Sequence, residues 1–362
     1  MRTRSVAALE ETSEQWSGLQ RHAGAARWYA LLLLLALALA ATTVFSMGVG
    51  AVHIAPTAIV RSLFQAHALT DTDRVILIDV RLPRVLASGL VGAALAVAGL
   101  MFQGLFRNPM ADPYVIGSSG GAILGAALGI FFFSQVSLWG FSATALLAFA
   151  GSVATMTLVY WLARSDGQTN VVTLLLAGFA VSTMLTNSSY FFELLDNSGN
   201  VGSRILIAWL HGSVATPPWT QLAICAALVA LAGTAAFPLM RRLNTLALGD
   251  EYAQQLGLRV EYTRMGIILI GSMLAAIAVS LGGLISFAGL VVPHVARLLL
   301  GPDHVRLLPV TALGGAIFLM LADTIARSVM APSEIPVGIL MAFLGGPFFL
   351  YLLRRTKRSY AV

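Results

Sequence analysis

Three arginines are candidates for binding an acidic partner, because each lies at the edge of a long apolar run: Arg81, Arg84 and Arg327. The first two belong to the segment DVRLPR, and Arg327 follows Asp323 by four residues. A guanidinium group forms bidentate hydrogen bonds with a carboxylate, so an exposed set of arginines can dock a protein that presents Asp or Glu side chains. The alternatives are arginines that reach lipid phosphates, or an internal ion pair between Asp323 and Arg327 at i,i+4.

The longest polar stretch between the later apolar runs covers residues 241–264. Asp250 and Glu251 open its central part, where the dipole of a short helix favours acidic side chains, and Gly257 is a typical helix stop. An ordered loop of this length is longer than a connection requires. We interpret it as a surface that binds a soluble partner, and the alternative is a helix that lies on the membrane surface.

The apolar run at residues 171–191 contains an unusual number of polar side chains. The most informative are Thr183, Thr186, Asn187 and Tyr190. Hydroxyl groups in a span can donate to the carbonyl four residues earlier, which is the simplest explanation. An amide such as that of Asn187 needs a partner or water inside the membrane, so a water-lined path is the second interpretation, and both remain open.

Several kinds of chemistry are excluded by what the sequence lacks. Lys357 is the only lysine, so the chain has no P-loop, whose lysine must follow a glycine-rich turn. The single cysteine, Cys225, forms no disulfide framework, and His294 has no second ligand at i+3 or i+4. We find no nucleophile with a base, and therefore predict no enzyme, cofactor or metal in this chain. The net charge of +6 is dispersed between apolar stretches, which argues against nucleic acid.

Composition predicts an all-α integral membrane protein. Of the 362 residues, 58% are hydrophobic and 10% are charged, whereas soluble domains carry about 25% charged residues. A helix of about 20 apolar residues crosses the bilayer. We predict about ten such spans, at residues 28–48, 83–106, 115–134, 141–163, 171–191, 219–240, 263–283, 284–300, 308–327 and 336–353.

The distribution of basic residues predicts the orientation of the spans. With the N-terminus inside, 16 of the 22 Lys and Arg residues lie in inner segments and 6 in outer segments, as the positive-inside rule favours. Both termini are then cytoplasmic, the three arginines lie outside and the polar stretch lies inside. We divide the chain into a polar leader at 1–27, a single transmembrane domain at 28–353 and a basic tail at 354–362.

A weak internal repeat predicts two inverted halves. The segment AALAVAG at 93–99, followed by FQGL at 102–105, is echoed by AAIAVSLGG at 275–283 and FAGL at 287–290. The two copies run in opposite directions in this topology, as in transporters built from inverted repeats. Chance similarity between Ala- and Gly-rich helices is the alternative.

Ten motifs follow one another in order along the chain: VRLPR at 80–84, FQGLFRNPMADP at 102–113, LLLAG at 174–178, LALGDE at 246–251 with QLG at 255–257, FAGLVVPH at 287–294, DH at 303–304, LLP at 307–309, LADTIAR at 321–327, EIPVG at 334–338 and LGGP at 344–347. In these motifs the sequence resembles the FecCD family of permeases, which import ferric siderophores, haem and cobalamin. The resemblance covers nearly the whole chain beyond residue 80.

This resemblance implies a ten-helix permease that works as a homodimer with two cytoplasmic ATPase subunits and receives its substrate from an extracytoplasmic binding protein. ATP and Mg²⁺ are then bound by the ATPase partner and not by this chain. The resemblance also implies docking of the binding protein at Arg81, Arg84 and Arg327, and a translocation path along the fifth span. The residues implied in ATPase coupling are Leu246, Leu248, Gly249, Asp250, Glu251, Gln255, Leu256 and Gly257.

The predicted function is therefore that of a permease subunit in a bacterial inner membrane, which forms the path for a large metal chelate. A ferric siderophore or haem is the first expectation, and cobalamin is the alternative. A transporter of another class, driven by an ion gradient, would need acidic residues inside the membrane. Only Asp323 comes near a predicted span in this way.

Overall fold

The computed structural model describes residues 26–50, 52, 54–62, 65, 69–114, 116–165, 168–194, 201–331 and 333–359. The predicted leader at 1–27 lies almost wholly outside the described residues, as do residues 360–362 of the predicted tail.

Within the described residues the chain forms thirteen helices and two short hairpins. The helices are α1 (Ala26–Gly48), α2 (Pro56–Ser62), α3 (Asp71–Leu105), α4 (Ser118–Phe132), α5 (Ala143–Leu162), α6 (Val171–Leu194), α7 (Val201–Leu210), α8 (Trp219–Leu246), α9 (Asp250–Gln255), α10 (Val260–Gly282), α11 (Ala288–Leu300), α12 (His304–Ser328) and α13 (Val337–Ser359). The antiparallel hairpins are β1 (Ser137–Leu138) with β2 (Phe141–Ser142), and β3 (Arg164–Ser165) with β4 (Gln168–Thr169).

The all-α membrane fold is confirmed, since each of the ten predicted spans coincides with a helix. In the part of the chain that the structure describes, seven helices are long and apolar enough to cross a membrane, and shorter apolar helices include α4, with 15 residues, and α11, with 13. The predicted break between the spans at 263–283 and 284–300 is present, because Gly283 and Phe287 both have a positive φ. Helix α7 lies between the predicted spans at 171–191 and 219–240 and was not predicted.

The second span differs from its prediction at its start. It begins at Asp71 rather than near residue 83, because Thr70 caps the helix by accepting a hydrogen bond from the Asp73 amide. Residues Ile76–Arg81 form a π-helical turn, in which the Leu82 amide bonds to the Leu77 carbonyl. This wider turn accommodates Pro83, whose nitrogen cannot donate in a regular helix. The turn also directs the Arg81 side chain into the protein, where it is buried.

Helix α3 is the centre of the bundle, and 83% of its most apolar stretch is buried, against 11% for α6. Small residues let its neighbours approach closely. A Cβ atom at Gly99 would lie 1.7 Å from the Gly289 carbonyl oxygen at the start of α11, and one at Gly92 would lie 2.2 Å from the Gly315 oxygen in α12. Such contacts allow the dispersion packing that holds helices together in lipid.

The two copies of the internal repeat differ in local structure. The first lies in the continuous helix α3, whereas the second spans the end of α10, the break at Gly283 and the start of α11. They contact each other at Gly99 and Gly289. The inverted relation between two halves stays a prediction.

Candidate functional site

Arg81 is buried and fixes the chain that follows α1. Its exposed fraction is 6%. Nη1 donates to the Met47 carbonyl oxygen at 2.6 Å, and Nη2 donates to the carbonyl of Val52. A Cβ atom at Gly50 would lie 2.7 Å from Arg81 Nη2, so a larger residue there would displace the guanidinium. In the isolated chain, Arg81 therefore binds backbone rather than facing a partner.

Arg327 is also buried, near the end of α12. Its Nη2 donates to the Ser46 carbonyl, and its Nε lies 3.8 Å from Asp323 Oδ2. The internal i,i+4 pair that was one alternative from the sequence is therefore present. Arg327 and Arg81 together hold the end of α1 against α3 and α12.

Arg84 lies closer to the surface and binds two carboxylates. Its Nε and Nη2 donate to the two oxygens of Asp323 at 3.2 and 3.1 Å, and its Nη1 lies 2.8 Å from Glu334 Oε2. The Asp323 side chain is 2% exposed, whereas that of Glu334 is 49% exposed. We call Arg81, Arg84, Asp323, Arg327 and Glu334 the arginine cluster.

The arginine cluster surrounds a cavity of 220 Å³, lined by all three arginines and by Glu334. Three positive and two negative side chains leave a formal charge of +1. The sequence therefore selected arginines that the fold brings together, but it did not identify Glu334 as their partner. The docking role of Arg81, Arg84 and Arg327 stays a prediction.

Helix α9 forms the middle of the polar stretch 241–264, which contains the predicted coupling residues and which we call the coupling segment. Gly249 precedes it with φ of 117° and Gly257 follows it with φ of 81°, and both values favour glycine. Ala253 is buried, while Leu248, Tyr252 and Leu256 are 63–69% exposed. Leu248 lies before the helix, whereas Tyr252 and Leu256 are four positions apart on it or at its end. We call these three exposed side chains the apolar stripe, and such a surface is suited to binding another protein.

Of the other predicted coupling residues, Glu251 and Gln255 are also exposed, whereas Leu246 is buried at the end of α8. Leu246 therefore anchors the segment instead of lying on its surface.

Asp250 ties the coupling segment to the transmembrane bundle. Its Oδ1 lies 2.7 Å from Arg107 Nη2, and its Oδ2 pairs with Arg264. Arg107, which follows the end of α3 with φ of 49°, also donates to the Leu246 carbonyl. Arg264 pairs with Glu261 on α10 at 2.9 Å. Sequence reasoning missed Arg107, although it lies within one of the ten motifs.

The four residues of α6 that were predicted to line a path lie mostly on its uncovered side. Thr183, Asn187 and Tyr190 are exposed and Thr186 is half-buried. The Thr183 hydroxyl donates to the Phe179 carbonyl at 2.8 Å, and Asn187 Nδ2 donates to the Thr183 carbonyl at 2.8 Å. The simple explanation by hydrogen bonds within the helix therefore accounts for these donors. The role of these residues in a path stays a prediction.

Asp112, like Asp323, is a mostly buried acid, and it was not selected from the sequence. It lies in the loop between α3 and α4 and accepts hydrogen bonds from the backbone amides of Tyr114, at 2.9 Å, and Phe287. Burial raises the pKa of Asp112, and the two hydrogen bonds oppose the increase. The Phe287 bond holds the start of α11, so this carboxylate has a structural partner from a distant part of the chain.

A bundle of this kind, with a charged cluster beside the π-helical turn of α3 and exposed apolar side chains near the last residue of α3, is that of a polytopic membrane protein. The chain matches the FecCD transport family over residues 35–355 and belongs to that family. It is the permease subunit of an ABC importer, and such a subunit works with an ATPase and a substrate-binding protein.

Two relatives and one solved structure illustrate the similarity. The cobalamin import permease BtuC of Halobacterium salinarum is 42% identical over 284 residues, which cover 78% of this chain and 74% of that protein. The hemin transport permease HmuU of Yersinia pestis is 40% identical over 283 residues, with 78% and 84% covered. A structure described as an inward-facing metal-chelate type ABC transporter superposes with a TM-score of 0.79, at 31% identity, over 90% of this chain and 99% of that one.

Proposed function

We propose that this chain forms the translocation path of a homodimeric importer for a ferric chelate, either a siderophore complex or haem. The observation that carries the proposal is that one helix, α3, connects the two predicted sites. Arg84 lies just after the π-helical turn of this helix, and Arg107, which binds the coupling segment, follows its last residue. The helical distance from Arg84 to Leu105 is about 30 Å, which is the thickness of the hydrocarbon core.

The positive-inside rule supports one orientation of this arrangement. The arginine cluster faces the outside, where a binding protein arrives, and α9 faces the cytoplasm, where the ATPase binds. Both termini are then cytoplasmic, and the membrane is the bacterial inner membrane. ATP and Mg²⁺ belong to the ATPase partner.

The uncovered face of α6 supports the homodimer. Leu176, Phe179 and Met184 are 65–72% exposed on the same helix as Thr183 and Asn187. A second copy placed against this helix encloses a space lined by Thr183, Thr186, Asn187 and Tyr190, through which a large and partly apolar chelate passes.

The proposed mechanism is alternating access. A loaded binding protein docks on the arginine cluster and releases its ligand between the two copies. Closure of the ATPase dimer around ATP moves α9, and the ion pairs of Asp250 with Arg107 and Arg264 transmit that movement to α3 and α10. The side of the membrane on which the cavity opens then changes.

Cobalamin is a second candidate substrate, favoured by the similarity to the halobacterial cobalamin permease. The two candidates are distinguished by uptake of radiolabelled ferric siderophore, haem and cobalamin into proteoliposomes that contain the full importer. Transport of cobalamin alone would replace the ferric-chelate proposal.

The same proteoliposomes test the class of transporter. Uptake should require the ATPase, the binding protein and ATP, and a proton or sodium gradient should not replace them. Uptake by the permease alone, driven by an ion gradient, would contradict the importer function.

A further inference from the structure

The contacts of the arginine cluster indicate how a partner gains access to Arg84. This inference rests on the proposed docking function. Every nitrogen of the Arg84 guanidinium already binds a carboxylate of the same chain. Nε and Nη2 donate to Asp323, and Nη1 donates to both oxygens of Glu334, at 3.0 and 2.8 Å. A carboxylate from another protein therefore has to replace one of these two acids.

Asp323 is not the replaceable acid. Its side chain is 2% exposed, and it also lies 3.8 Å from Arg327 Nε. Its removal would leave two mostly buried guanidinium groups without their carboxylate, which is far more costly than the loss of an exposed pair.

Glu334 has the opposite properties. Its side chain is 49% exposed, and its pair with Arg84 is the only ion pair that it forms within the described residues. Exposed pairs contribute little net stability, because water and side-chain entropy compete with them. The Arg84–Glu334 bond is therefore the one that a partner can exchange at small cost.

The backbone beside Glu334 is held in place, so the exchange requires only a side-chain rotation. The Ile335 amide donates to the Ala326 carbonyl at 3.1 Å, and the Gly338 amide donates to the Gly212 carbonyl at 3.2 Å. Glu334 also lines the 220 Å³ cavity of the arginine cluster, so its departure opens a space that leads to all three arginines.

We propose that Glu334 occupies the docking position of Arg84 in the undocked chain, and that a partner binds by inserting an Asp or Glu carboxylate in its place. The partner is a protein with an acidic side chain on its docking face. Glu334 lowers the affinity for such a partner by competition. Once displaced, the Glu334 carboxylate turns toward water.

The occupancy of Arg84 is tested without any partner by modification with phenylglyoxal, an arginine-specific reagent, followed by mass spectrometry of the Arg84 peptide. Glu334→Gln should raise the modification rate several-fold in the full-length protein in nanodiscs. Asp79→Asn is the matched control, because Asp79 is exposed in the same turn as Arg81 and forms no ion pair within the described residues. An equal rate in Glu334→Gln and wild type would overturn the proposal.

Docking is tested with the assembled importer in nanodiscs and its own substrate-binding protein carrying a fluorescent label. Glu334→Gln should strengthen association up to about fivefold, the range expected for the loss of one exposed competing pair. Asp79→Asn removes the same charge and should leave the affinity unchanged. An equal gain in both variants would assign the effect to net charge and refute displacement.

Arg84→Gln separates failure of this inference from failure of the docking function. If docking uses Arg84, this variant weakens association, and Glu334→Gln has no further effect in the Arg84→Gln background. If Arg84→Gln leaves association unchanged, the docking function at this residue is wrong. If it weakens association while Glu334→Gln alone gives no gain, docking stands and displacement is wrong.

Discussion

The two ends of the stretch 84–105 of α3 present different kinds of surface to a partner. At the arginine cluster, Asp323 is enclosed between Arg84 and Arg327 and almost all charges are satisfied within the chain. Near the other end, Asp250 is 39% exposed. Large exposed side chains there are apolar, including those of Leu248 and Tyr252.

This difference determines how each end can bind. A partner at the arginine cluster competes with carboxylates that are already in place, so its affinity depends on charge exchange. A partner at α9 covers apolar side chains that have no competitor within the chain, so its affinity depends on the area buried. Four measurements test this contrast.

The largest expected effect is on stability at the arginine cluster. Asp323→Asn removes the negative charge between two mostly buried arginines, and breaking a buried pair from one side costs about 3–5 kcal/mol. The free energy of unfolding of the purified chain, followed by denaturant titration in detergent, measures the loss. A decrease below about 1 kcal/mol would mean that these pairs do not hold α3 to α12.

The next effect is on binding at α9. Tyr252→Asp places a charge in the apolar stripe, and loss of an aromatic anchor of about 2 kcal/mol lowers affinity for the ATPase about 30-fold. Titration of labelled ATPase onto nanodiscs gives the dissociation constant. Tyr252→Phe keeps the apolar ring and should bind as the wild type does, and a similar loss in both variants would point to the hydroxyl group instead.

A smaller effect distinguishes the two partners by their response to salt. Raising KCl from about 50 to about 500 mM screens exposed charges strongly, so binding-protein association should weaken several-fold. ATPase association should change by less than about twofold. Equal responses at both ends would show that charge dominates the α9 surface as well.

The smallest effect is expected for Asp250→Asn. This side chain is partly exposed, so solvent screens its pairs with Arg107 and Arg264, and the variant should lose only about 0.2–1 kcal/mol of unfolding free energy. The same denaturant titration applies, with Asp323→Asn measured in parallel. Equal losses of unfolding free energy in the two variants would contradict the contrast between the arginine cluster and the coupling segment.

The sequence predicted the helices that are long and apolar, because hydrophobic length alone defines a span. It did not predict α7, since ten apolar residues are too few to cross a membrane and hydrophobic length was the criterion. The start of α3 was missed for a different reason. A proline at position 83 indicates a helix start, but the helix continues before it through the π-helical turn at Ile76–Arg81.

The sequence indicated which residues belong to the candidate sites, but it did not indicate which atoms they contact. The partners of Arg81 and Arg327 are carbonyl oxygens of Met47 and Ser46, and backbone acceptors leave no trace in a pattern of side chains. Asp112 is similar, because its second partner is the amide of Phe287, 175 positions away along the chain. Glu334 lies in the motif EIPVG at 334–338, but it is so far from Arg84 in sequence that the pair could not be predicted.

The π-helical turn at Ile76–Arg81 sets the phase of the first turns of α3 by a single residue. Successive residues of an α-helix are rotated by about 100°. Deleting one residue between positions 76 and 80 would restore a regular helix and leave Arg81, Arg84 and the rest of α3 in register, but it would rotate the turns that begin at Asp71. One additional residue therefore decides which side chains of those first turns pack against Met47, Ile54 and Ile59, although no side chain of the arginine cluster has been replaced.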